Sequence, residues 1–419
     1  MRYTIYTLGC KVNQYETQAM EHMLREHGLE PAVDGAADVV IVNTCAVTAE
    51  SGRKSRQAIR RLAQQHPGAL VAVCGCYAQV EPDSVRALGA DIVFGTAQRE
   101  AFVSAIADKT PSERIDDPFK RLQIEPLPAG SVAGRTRALM RIQDGCDNFC
   151  SYCIIPYSRG RVRSQPVDEA AQQAAELRTQ GYLEIVITGI EIASYGKDLP
   201  GHPTLADVTA AIAAAAPGVR VHLGSLEPTV ITEEFCRTLA AVGSVCRHFH
   251  LSLQSGCDDT LRRMRRKYDT ARFREACELL RKYFPGCSLT ADLITGFPGE
   301  SEADFAQTLA FLETCGFSYV HCFPYSPRPG TKAADMPDQC THAVKEERVR
   351  QAMALVERLQ GAYLAGCVGQ TLPVLFENTH EGHADNYCLV AVEGEQVRGT
   401  VKNVQITGVD GEKLLGFVV

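Results

Sequence analysis

The chain has 419 residues, of which 45% are hydrophobic and 22% charged, with a formal net charge of −7. This length exceeds the ~250–300 residues that one hydrophobic core usually organises, so two or three domains are expected. No apolar run approaches the ~18 residues of a membrane helix, and the start MRYTIYTLGC lacks the apolar core of a signal peptide, so we expect a cytoplasmic protein with no membrane partner. In such a protein the 17 cysteines favour metal binding over disulfides.

Residues 1–107 alternate between strand and helix patterns. The apolar runs YTIYTL, ADVVIVN, ALVAVCG and DIVFG are separated by helical stretches, which predicts a flavodoxin-like parallel sheet covered by helices. Cys10, Cys45 and Cys76 each follow one of these strands, and the carboxyl ends of parallel strands share one edge, where ligands bind. The three cysteines therefore predict a three-thiolate cluster. Cys74 lies two residues before Cys76, on the same face of the predicted strand, and is interpreted as a core thiol.

Residues 108–138 are rich in proline, glycine and charged residues, which predicts a linker. Six strand patterns then alternate with helices between 139 and 367. Six successive units predict a partial (β/α)6 barrel whose wall stays open, since a full barrel has eight. The strand patterns are ALMRIQDG, EIVITGI, VRVHLGSL, HFHLSLQS, LTADLITGF and SYVHCFPYS.

The string CDNFCSYC places Cys146, Cys150 and Cys153 in one short loop after the first barrel strand. A structural zinc site requires four closed ligands. Three cysteine thiolates, in contrast, can hold a [4Fe-4S] cluster and leave one iron open to a small molecule. The polar residues within the loop favour the cluster over the alternative, in which the three cysteines are buried in a core.

Polar residues and glycines fall at the carboxyl ends of the predicted barrel strands, where barrels have their active sites. Glycine lets a ligand approach the backbone, and carboxylates or amides hold a ribose or an ammonium group. Each residue alone is also compatible with an ordinary turn; the nearby cysteine loop favours a cofactor site. The candidates are Gly189, Glu191, Ser225, Glu227, Gln254, Asp292 and Gly296.

The last stretch, residues 368–419, consists of short strand patterns separated by glycine, asparagine and aspartate. The runs TLPVLFEN, NYCLVAV, EQVRGTVKNVQITGV and KLLGFVV predict a small β-barrel. Such modules often bind nucleic acid, but this one has three basic and seven acidic residues, so its charge does not favour RNA.

Basic residues cluster in three other segments: 53–61, the surroundings of the cysteine loop, and 262–267. Clustered arginine is the electrostatic footprint of a phosphate backbone, so the three clusters together favour an RNA partner. The alternative for any one cluster is a solvated helix face. The arginines around the cysteine loop are Arg135, Arg137, Arg141, Arg159, Arg161 and Arg163.

Several motifs occur in order along nearly the whole chain: TLGCKVNQYE, IVNTC, GCYAQ, CDNFCSYCIIPYSRGRVRS, LGSLEP, HLSLQSG, LITGFPGE and FPYSPRPGT. Together they resemble the methylthiotransferases of the radical S-adenosylmethionine (SAM) superfamily. The resemblance implies an auxiliary-cluster domain, a SAM barrel and a TRAM domain, with SAM and two [4Fe-4S] clusters as cofactors. It assigns the auxiliary cluster to Cys10, Cys45 and Cys76, and the catalytic cluster that cleaves SAM to Cys146, Cys150 and Cys153. Tyr152 matches a position near the adenine of SAM.

The string TLGCKVNQYE is most similar to the branch that adds a methylthio group to C2 of N6-threonylcarbamoyladenosine at position 37 of tRNA. The expected partners are then a tRNA anticodon loop, an electron donor and a sulfur source. Alternatives are sister branches that act on isopentenyl-adenosine in tRNA or on an aspartate of a ribosomal protein. An alternative of another class is a non-enzymatic iron–sulfur or zinc protein that binds RNA.

Overall fold

A six-stranded parallel sheet organises the N-terminal part of the chain, of which the computed structural model describes residues 1–33, 35, 37–129 and 136–419. Its spatial order is β2-β1-β3-β4-β5-β6. The first five strands therefore follow the flavodoxin-like order, which confirms the predicted fold class. The strands are β1 (Arg2–Thr7), β2 (Glu30–Pro31), β3 (Val39–Thr44), β4 (Leu70–Gly75), β5 (Ile92–Phe94) and β6 (Ser112–Arg114).

Helices cover both faces of this sheet. Because the sheet is covered on both sides, β3 is buried at every residue and its sequence VVIVNT is a nearly continuous apolar run. One face packs Tyr15, Met20 and Phe102, and the other packs Ile59 and Tyr77. The helices are α1 (Lys11–Glu26), α2 (Ala49–Gln65), α3 (Cys76–Val80), α4 (Pro82–Arg86) and α5 (Arg99–Ala107).

The predicted linker begins with ordered structure. Strand β6 lies within it and pairs in parallel with β5 at the edge of the first sheet. A short 3-10 turn follows at Pro118–Lys120. Residues 130–135, which include Arg135, lie outside the described residues.

The central part is a partial barrel of six parallel strands, as predicted. Two three-stranded sheets, β7-β10-β11 and β12-β13-β14, are joined by the parallel bridges Val221–Val245 and Leu226–Leu251. A small antiparallel pair, β8-β9, lies beside the first strand. The strands are β7 (Arg137–Arg141), β8 (Gln143–Asp144), β9 (Arg163–Ser164), β10 (Glu184–Thr188), β11 (Arg220–Leu223), β12 (His248–Gln254), β13 (Ser288–Thr295) and β14 (Tyr319–Pro324).

Eight helices accompany these strands among the described residues. The apolar faces of most of them pack against the outside of the barrel strands and form the largest core of the molecule. The helices are α6 (Ile155–Arg159), α7 (Val167–Thr179), α8 (Leu205–Ala215), α9 (Glu233–Val242), α10 (Asp258–Arg263), α11 (Thr270–Tyr283), α12 (Glu302–Cys315) and α13 (His342–Cys367). No described helix combines the length and the hydropathy needed to cross a bilayer.

The C-terminal part is a closed barrel of five strands in the order β15-β16-β17-β19-β18. The prediction had four strands and missed β16, because its sequence EGHA has no apolar run. The third predicted strand pattern, 395–409, forms a strand only from Val401. The strands are β15 (Thr371–Phe376), β16 (Glu381–Ala384), β17 (Leu389–Val392), β18 (Val401–Asp410) and β19 (Lys413–Val418).

Candidate functional site

The cysteines predicted to hold the auxiliary cluster lie at one edge of the first sheet. Cys10, Cys45 and Cys76 follow β1, β3 and β4, which are adjacent strands. The chain turns sharply at Gly9 and Gly75, whose φ angles are +100° and +98°, a conformation that favours glycine. A Cβ at Gly9 would lie 2.9 Å from Cys45 Sγ, so the turn also makes room for that thiol. Three thiols from distant parts of the sequence thereby meet at one edge.

Cys74 and Cys76 lie on opposite sides of the sheet, contrary to the expectation that they share a face. The strand ends at Gly75, and Cys76 begins α3 rather than continuing β4. Cys74 packs in the core formed with α1, 4.0 Å from Met20 Sδ. Burial raises the pKa of the Cys74 thiol to about 12. This position favours the interpretation of Cys74 as a core thiol.

A buried network of charged residues adjoins this cysteine trio. Arg159 donates to Glu16 at 2.8 Å, to Asn13 at 2.9 Å and to Asp144 at 3.2 Å, and it is fully buried. Two carboxylates face four guanidinium groups, so these six groups carry net positive charge. The members are Glu16, Arg99, Arg141, Asp144, Arg159 and Arg163.

The network has two consequences for the site. Burial raises the pKa of the Cys76 thiol to about 11, and the nearby Arg159 charge opposes that rise. Buried positive charge beside three thiols suits an anionic thiolate-bound cluster, so the donor set fits the implied group. The network also corrects the expectation that all arginines around the cysteine loop face RNA, because Arg141, Arg159 and Arg163 are at most 3% exposed.

The second trio lies in the loop between β8 and α6. Cys146 Sγ accepts a hydrogen bond from the Asn148 backbone N–H at 3.4 Å, and Cys150 Sγ accepts one from Arg266 Nη1 at 3.1 Å. Burial raises the pKa of the Cys153 thiol to about 12. Donors that point at sulfur stabilise thiolates, so this loop also fits a cysteine-bound cluster.

Among the described residues, no three His, Cys, Asp or Glu side chains are close enough to hold a single metal ion. This distance requirement applies to side chains that all bind the same metal ion. In a cubane each cysteine binds a different iron, so the sulfur atoms of a trio stand further apart than the ligands of one zinc ion. The geometry therefore does not favour a zinc site at either trio.

Two predicted cofactor-binding carboxylates meet beside the second trio. Asn148 Nδ2 donates to Glu191 Oε2 and to Glu227 Oε2, each at 2.9 Å. Arg266 Nη2 lies 3.4 Å from Glu227 Oε2. Burial, and then the like charge of Glu227, raise the pKa of Glu191 to about 7. Two facing carboxylates next to an amide suit a ligand with an ammonium or sulfonium charge.

Protein packing accounts for the predicted glycines. A Cβ at Gly189 would lie 2.8 Å from Gln143 Oε1, the atom that accepts the Glu191 backbone N–H. A Cβ at Gly296 would overlap the side chain of Lys345, and φ there is +68°. Neither contact involves a ligand, so a cofactor role for these two positions stays a prediction.

The remaining predicted residues are spread around the barrel. Tyr152 packs edge-on against Phe297 with ring centres 6.3 Å apart. Gln254 ends β12 with φ of +64°. Ser225 and Asp292 both line a large cavity rather than the group around Asn148. The fold therefore brings Glu191 and Glu227 together beside the cysteine loop and places Ser225 and Asp292 at the cavity.

This cavity occupies the barrel lumen and has a volume of about 770 Å³. Cys10 and Lys11 line its wall, so it reaches the edge that carries the auxiliary trio. Thr188, Gly189 and Ser225 add strand ends of the barrel, and residues of the C-terminal barrel line it as well. The lumen thus offers a space of nucleoside size next to a predicted cluster ligand.

A hydrogen-bonded chain of side chains runs along the lumen wall. Its successive contacts measure 3.3, 2.7, 2.9, 2.9 and 3.2 Å. Sequence reasoning missed it, although the alternating histidines of HFHLSLQ were a signal. The members, in order, are Glu184, His222, His248, Thr290, His250 and Asp292.

The donor count of this chain is informative. Its five contacts need five donor hydrogens, whereas three neutral imidazoles and one hydroxyl supply four and two carboxylates supply none. When every contact is made, the chain carries one additional proton. Burial lowers the pKa of both His222 and His248. Burial thus disfavours the charged form of the two histidines nearest the Glu184 end of the chain.

Two known families match this sequence. Residues 140–312 match the Radical SAM superfamily, and residues 2–95 match the Uncharacterized protein family UPF0004. The Radical SAM match contains Cys146, Cys150 and Cys153. The UPF0004 match contains Cys10, Cys45 and Cys76. The two matches therefore divide the trios between them.

Relatives over nearly the full length have names that state an activity. The "Threonylcarbamoyladenosine tRNA methylthiotransferase MtaB" of Bacillus subtilis is 39% identical over 96% of this chain and 92% of its own. The protein of that name from Thermotoga maritima is 36% identical over 89% of this chain and 86% of its own. The "tRNA-2-methylthio-N(6)-dimethylallyladenosine synthase" of Moorella thermoacetica is 33% identical over 100% and 98%.

Solved structures share the fold. The radical S-adenosylmethionine methyltransferase TsrM from Kitasatospora setae, with cobalamin and a [4Fe-4S] cluster bound, superposes with a TM-score of 0.56 at 15% identity. The match covers 80% of this chain and 77% of that one. At this identity the likeness concerns the fold alone.

Proposed function

The chain belongs to the radical SAM methylthiotransferase family, and we propose that it adds a methylthio group to C2 of N6-threonylcarbamoyladenosine at position 37 of tRNA. The observation that carries this proposal is the full-length likeness to relatives named for that reaction, at 31–39% identity. The two cysteine trios of the structure support it.

SAM and two [4Fe-4S] clusters are the cofactors of the enzyme, and when bound they supply the radical and sulfur chemistry that acid–base side chains lack. Cys146, Cys150 and Cys153 hold one cluster in the barrel loop. Cys10, Cys45 and Cys76 hold the other at the sheet edge, beside the buried charge of Arg159. Of these six cysteines, Cys10 lines the lumen cavity, whereas Cys150 and Cys153 line a smaller cavity of about 170 Å³.

The carboxylates Glu191 and Glu227 orient the cationic end of SAM. Their mutual contact through Asn148 fixes both side chains before the ligand arrives. A cation between them would offset the burial and the like charge of Glu227 that raise the pKa of Glu191. Tyr152 belongs to the cysteine loop itself, and its ring, packed edge-on against Phe297, would be the aromatic neighbour of the adenine.

Exposed basic residues on two elements support tRNA binding. Arg60 and Arg61 lie on the outer face of α2, and Arg61 covers the ring of Tyr6 at 5.1 Å. Arg262 is exposed in the last turn of α10, and Arg265 and Lys267 are exposed in the segment that follows it. These residues replace the buried arginines as candidates for phosphate contacts. Anticodon-loop bases are unstacked, which suits entry of a single adenine into the lumen. A tRNA substrate supports a cytoplasmic location.

The test is anaerobic incubation of the reconstituted enzyme with SAM, a reductant, sulfide and tRNA that lacks the methylthio group, followed by mass spectrometry of nucleosides. We expect the mass of threonylcarbamoyladenosine to rise by one methylthio group. The Cys146→Ala variant is the matched negative control and should neither cleave SAM nor modify tRNA. A gain only on dimethylallyladenosine would contradict the proposed substrate and assign the chain to the sister activity.

A further inference from the structure

Most charged side chains that line the lumen cavity have partners within the protein. Lys413 Nζ lies 2.5 Å from Glu381 Oε1, and His250 lies 3.2 Å from Asp292. His248 is bonded on both ring nitrogens. These groups therefore contribute little free charge to a ligand in the cavity.

Lys11 is different. Its side chain is exposed to the cavity, and among the described residues no hydrogen bond or ion pair involves its ammonium group. The nearest carboxylate that affects it, Glu184, is already engaged by Arg220, Arg137 and His222. An ammonium group without a partner in a cavity favours a ligand with negative charge.

The position of Lys11 relates this cation to the reaction. Lys11 directly follows Cys10 and begins α1, so its backbone is fixed at the sheet edge that carries the auxiliary trio. It also lines a second cavity of about 310 Å³ that adjoins the first at Tyr387. An anion bound by Lys11 therefore lies beside a predicted cluster ligand.

Resting on the proposed function, we infer that Lys11 binds the carboxylate of the threonylcarbamoyl group and selects that base against adenines with an uncharged N6 substituent. The substituent is attached through C6, and both C6 and C2 are bonded to N1. A carboxylate held at Lys11 thus leaves C2 on the side of Cys10. A dimethylallyl group carries no charge. When an adenine with this group binds, the Lys11 ammonium would lose its hydrating water without gaining an oppositely charged partner, which costs free energy.

The test measures binding, independent of turnover. Anticodon stem-loops carry threonylcarbamoyladenosine, its methyl ester or dimethylallyladenosine at position 37, and dissociation constants are measured with the reconstituted protein. We expect the wild type to bind the acid at least about tenfold more tightly than the ester, the effect of one charge-assisted contact. Lys11→Gln should remove this preference, and Lys11→Arg should retain most of it.

Lys413→Gln is the matched control, because Lys413 lines the same cavity but is paired with Glu381. It should keep the preference for the acid. Iron content and the circular dichroism spectrum establish that each variant is folded and loaded.

Two results overturn the inference. One is a wild-type protein that binds acid and ester equally; the other is a Lys11→Gln protein that keeps the preference. Either result leaves the proposed function standing if the wild type still modifies threonylcarbamoyladenosine in the nucleoside assay. Absence of that modification contradicts the proposed function instead.

Discussion

Arg266 Nη1 lies 3.1 Å from Cys150 Sγ, so a buried guanidinium points at one sulfur of the barrel cysteine loop. A cation at this distance stabilises the more negative, reduced state of a cluster held there. We expect Arg266→Gln to lower the midpoint potential of that cluster by about 60 mV or more, tenfold in a one-electron equilibrium. Spectroelectrochemical titration measures it. Arg262→Gln, an exposed residue of the same segment, is the control and should leave the potential unchanged.

The two neighbouring thiols of the first sheet should respond differently to substitution. Cys76→Ala removes a predicted ligand, so we expect reconstituted protein to fall from about eight irons per chain to about four, one [4Fe-4S] cluster. Cys74→Ala removes a core thiol and should keep about eight. Iron analysis after anaerobic reconstitution decides between them. A loss of four irons in Cys74→Ala instead would move the ligand to that residue.

SAM affinity should depend on pH through Glu191. Burial and Glu227 raise the pKa of Glu191 to about 7, so part of this group is protonated near neutrality. A cationic ligand favours the carboxylate, and its binding therefore strengthens as pH rises. We expect affinity to increase by up to about tenfold per pH unit below 7 and to level off above it. Isothermal titration with the loaded protein between pH 6 and pH 8 (about one unit either side of that pKa) measures this. Glu191→Gln should bind more weakly, with a flat profile.

Glu16 supports the buried arginine network, so its charge matters for stability. Burial alone would raise the pKa of Glu16, but Arg159 and Arg99 lower it below the ordinary value. We expect Glu16→Gln to reduce the free energy of unfolding by about 3–5 kcal/mol, since it leaves buried guanidinium groups without a counter-charge. Denaturant unfolding measures the change. Glu50→Gln, which breaks an exposed pair with Arg53, should leave the free energy of unfolding essentially unchanged because solvent screens that pair.

Thr290 connects the two halves of the histidine chain in the lumen. Thr290→Val removes the hydroxyl that contacts His248 Nε2 and His250 Nδ1, each at 2.9 Å. We expect a loss of about 1–3 kcal/mol in unfolding free energy, the cost of leaving a buried polar group unpaired. Histidine ring resonances in NMR spectra should shift as well. Thr314→Val, at an exposed helical position, is the control and should change neither.

The strands were predictable because their patterns are strong. Strand β3, which is covered on both faces, appears in the sequence as a continuous apolar run, whereas barrel strands such as β12 alternate between buried and partly exposed residues. All six barrel strands were found from their patterns. Strand β16 was missed because Glu381–Ala384 is only four residues long and two of them are polar; it is held by hairpin pairing with β15 and β17 on either side of it in the sequence. Such a strand is specified by its neighbours rather than by its own composition.

The cysteine motifs were predictable from spacing, but their surroundings were not. The predicted side of the sheet for Cys76 was wrong. The prediction continued β4 past Gly75, but the φ angle of +98° at Gly75 ends the strand. The arginines near the loop were interpreted as a surface cluster, and Arg159 instead lies buried against Glu16. Clustering of arginines in the sequence shows the sign of the local charge, but it does not show whether their side chains are buried. The histidine chain depends on four strands that meet only in the fold.

The contact between Glu16 and Arg159 joins α1 of the first sheet to α6 of the barrel. A fragment that stops before the barrel would retain Glu16 and Arg99 but lose Asp144 and three of the four guanidinium groups of the network, those of Arg141, Arg159 and Arg163. The sheet is therefore not a portable module, and grafting it onto another scaffold would require a replacement for those charges. Truncation studies of this protein should cut at the C-terminal barrel rather than between the two cysteine trios.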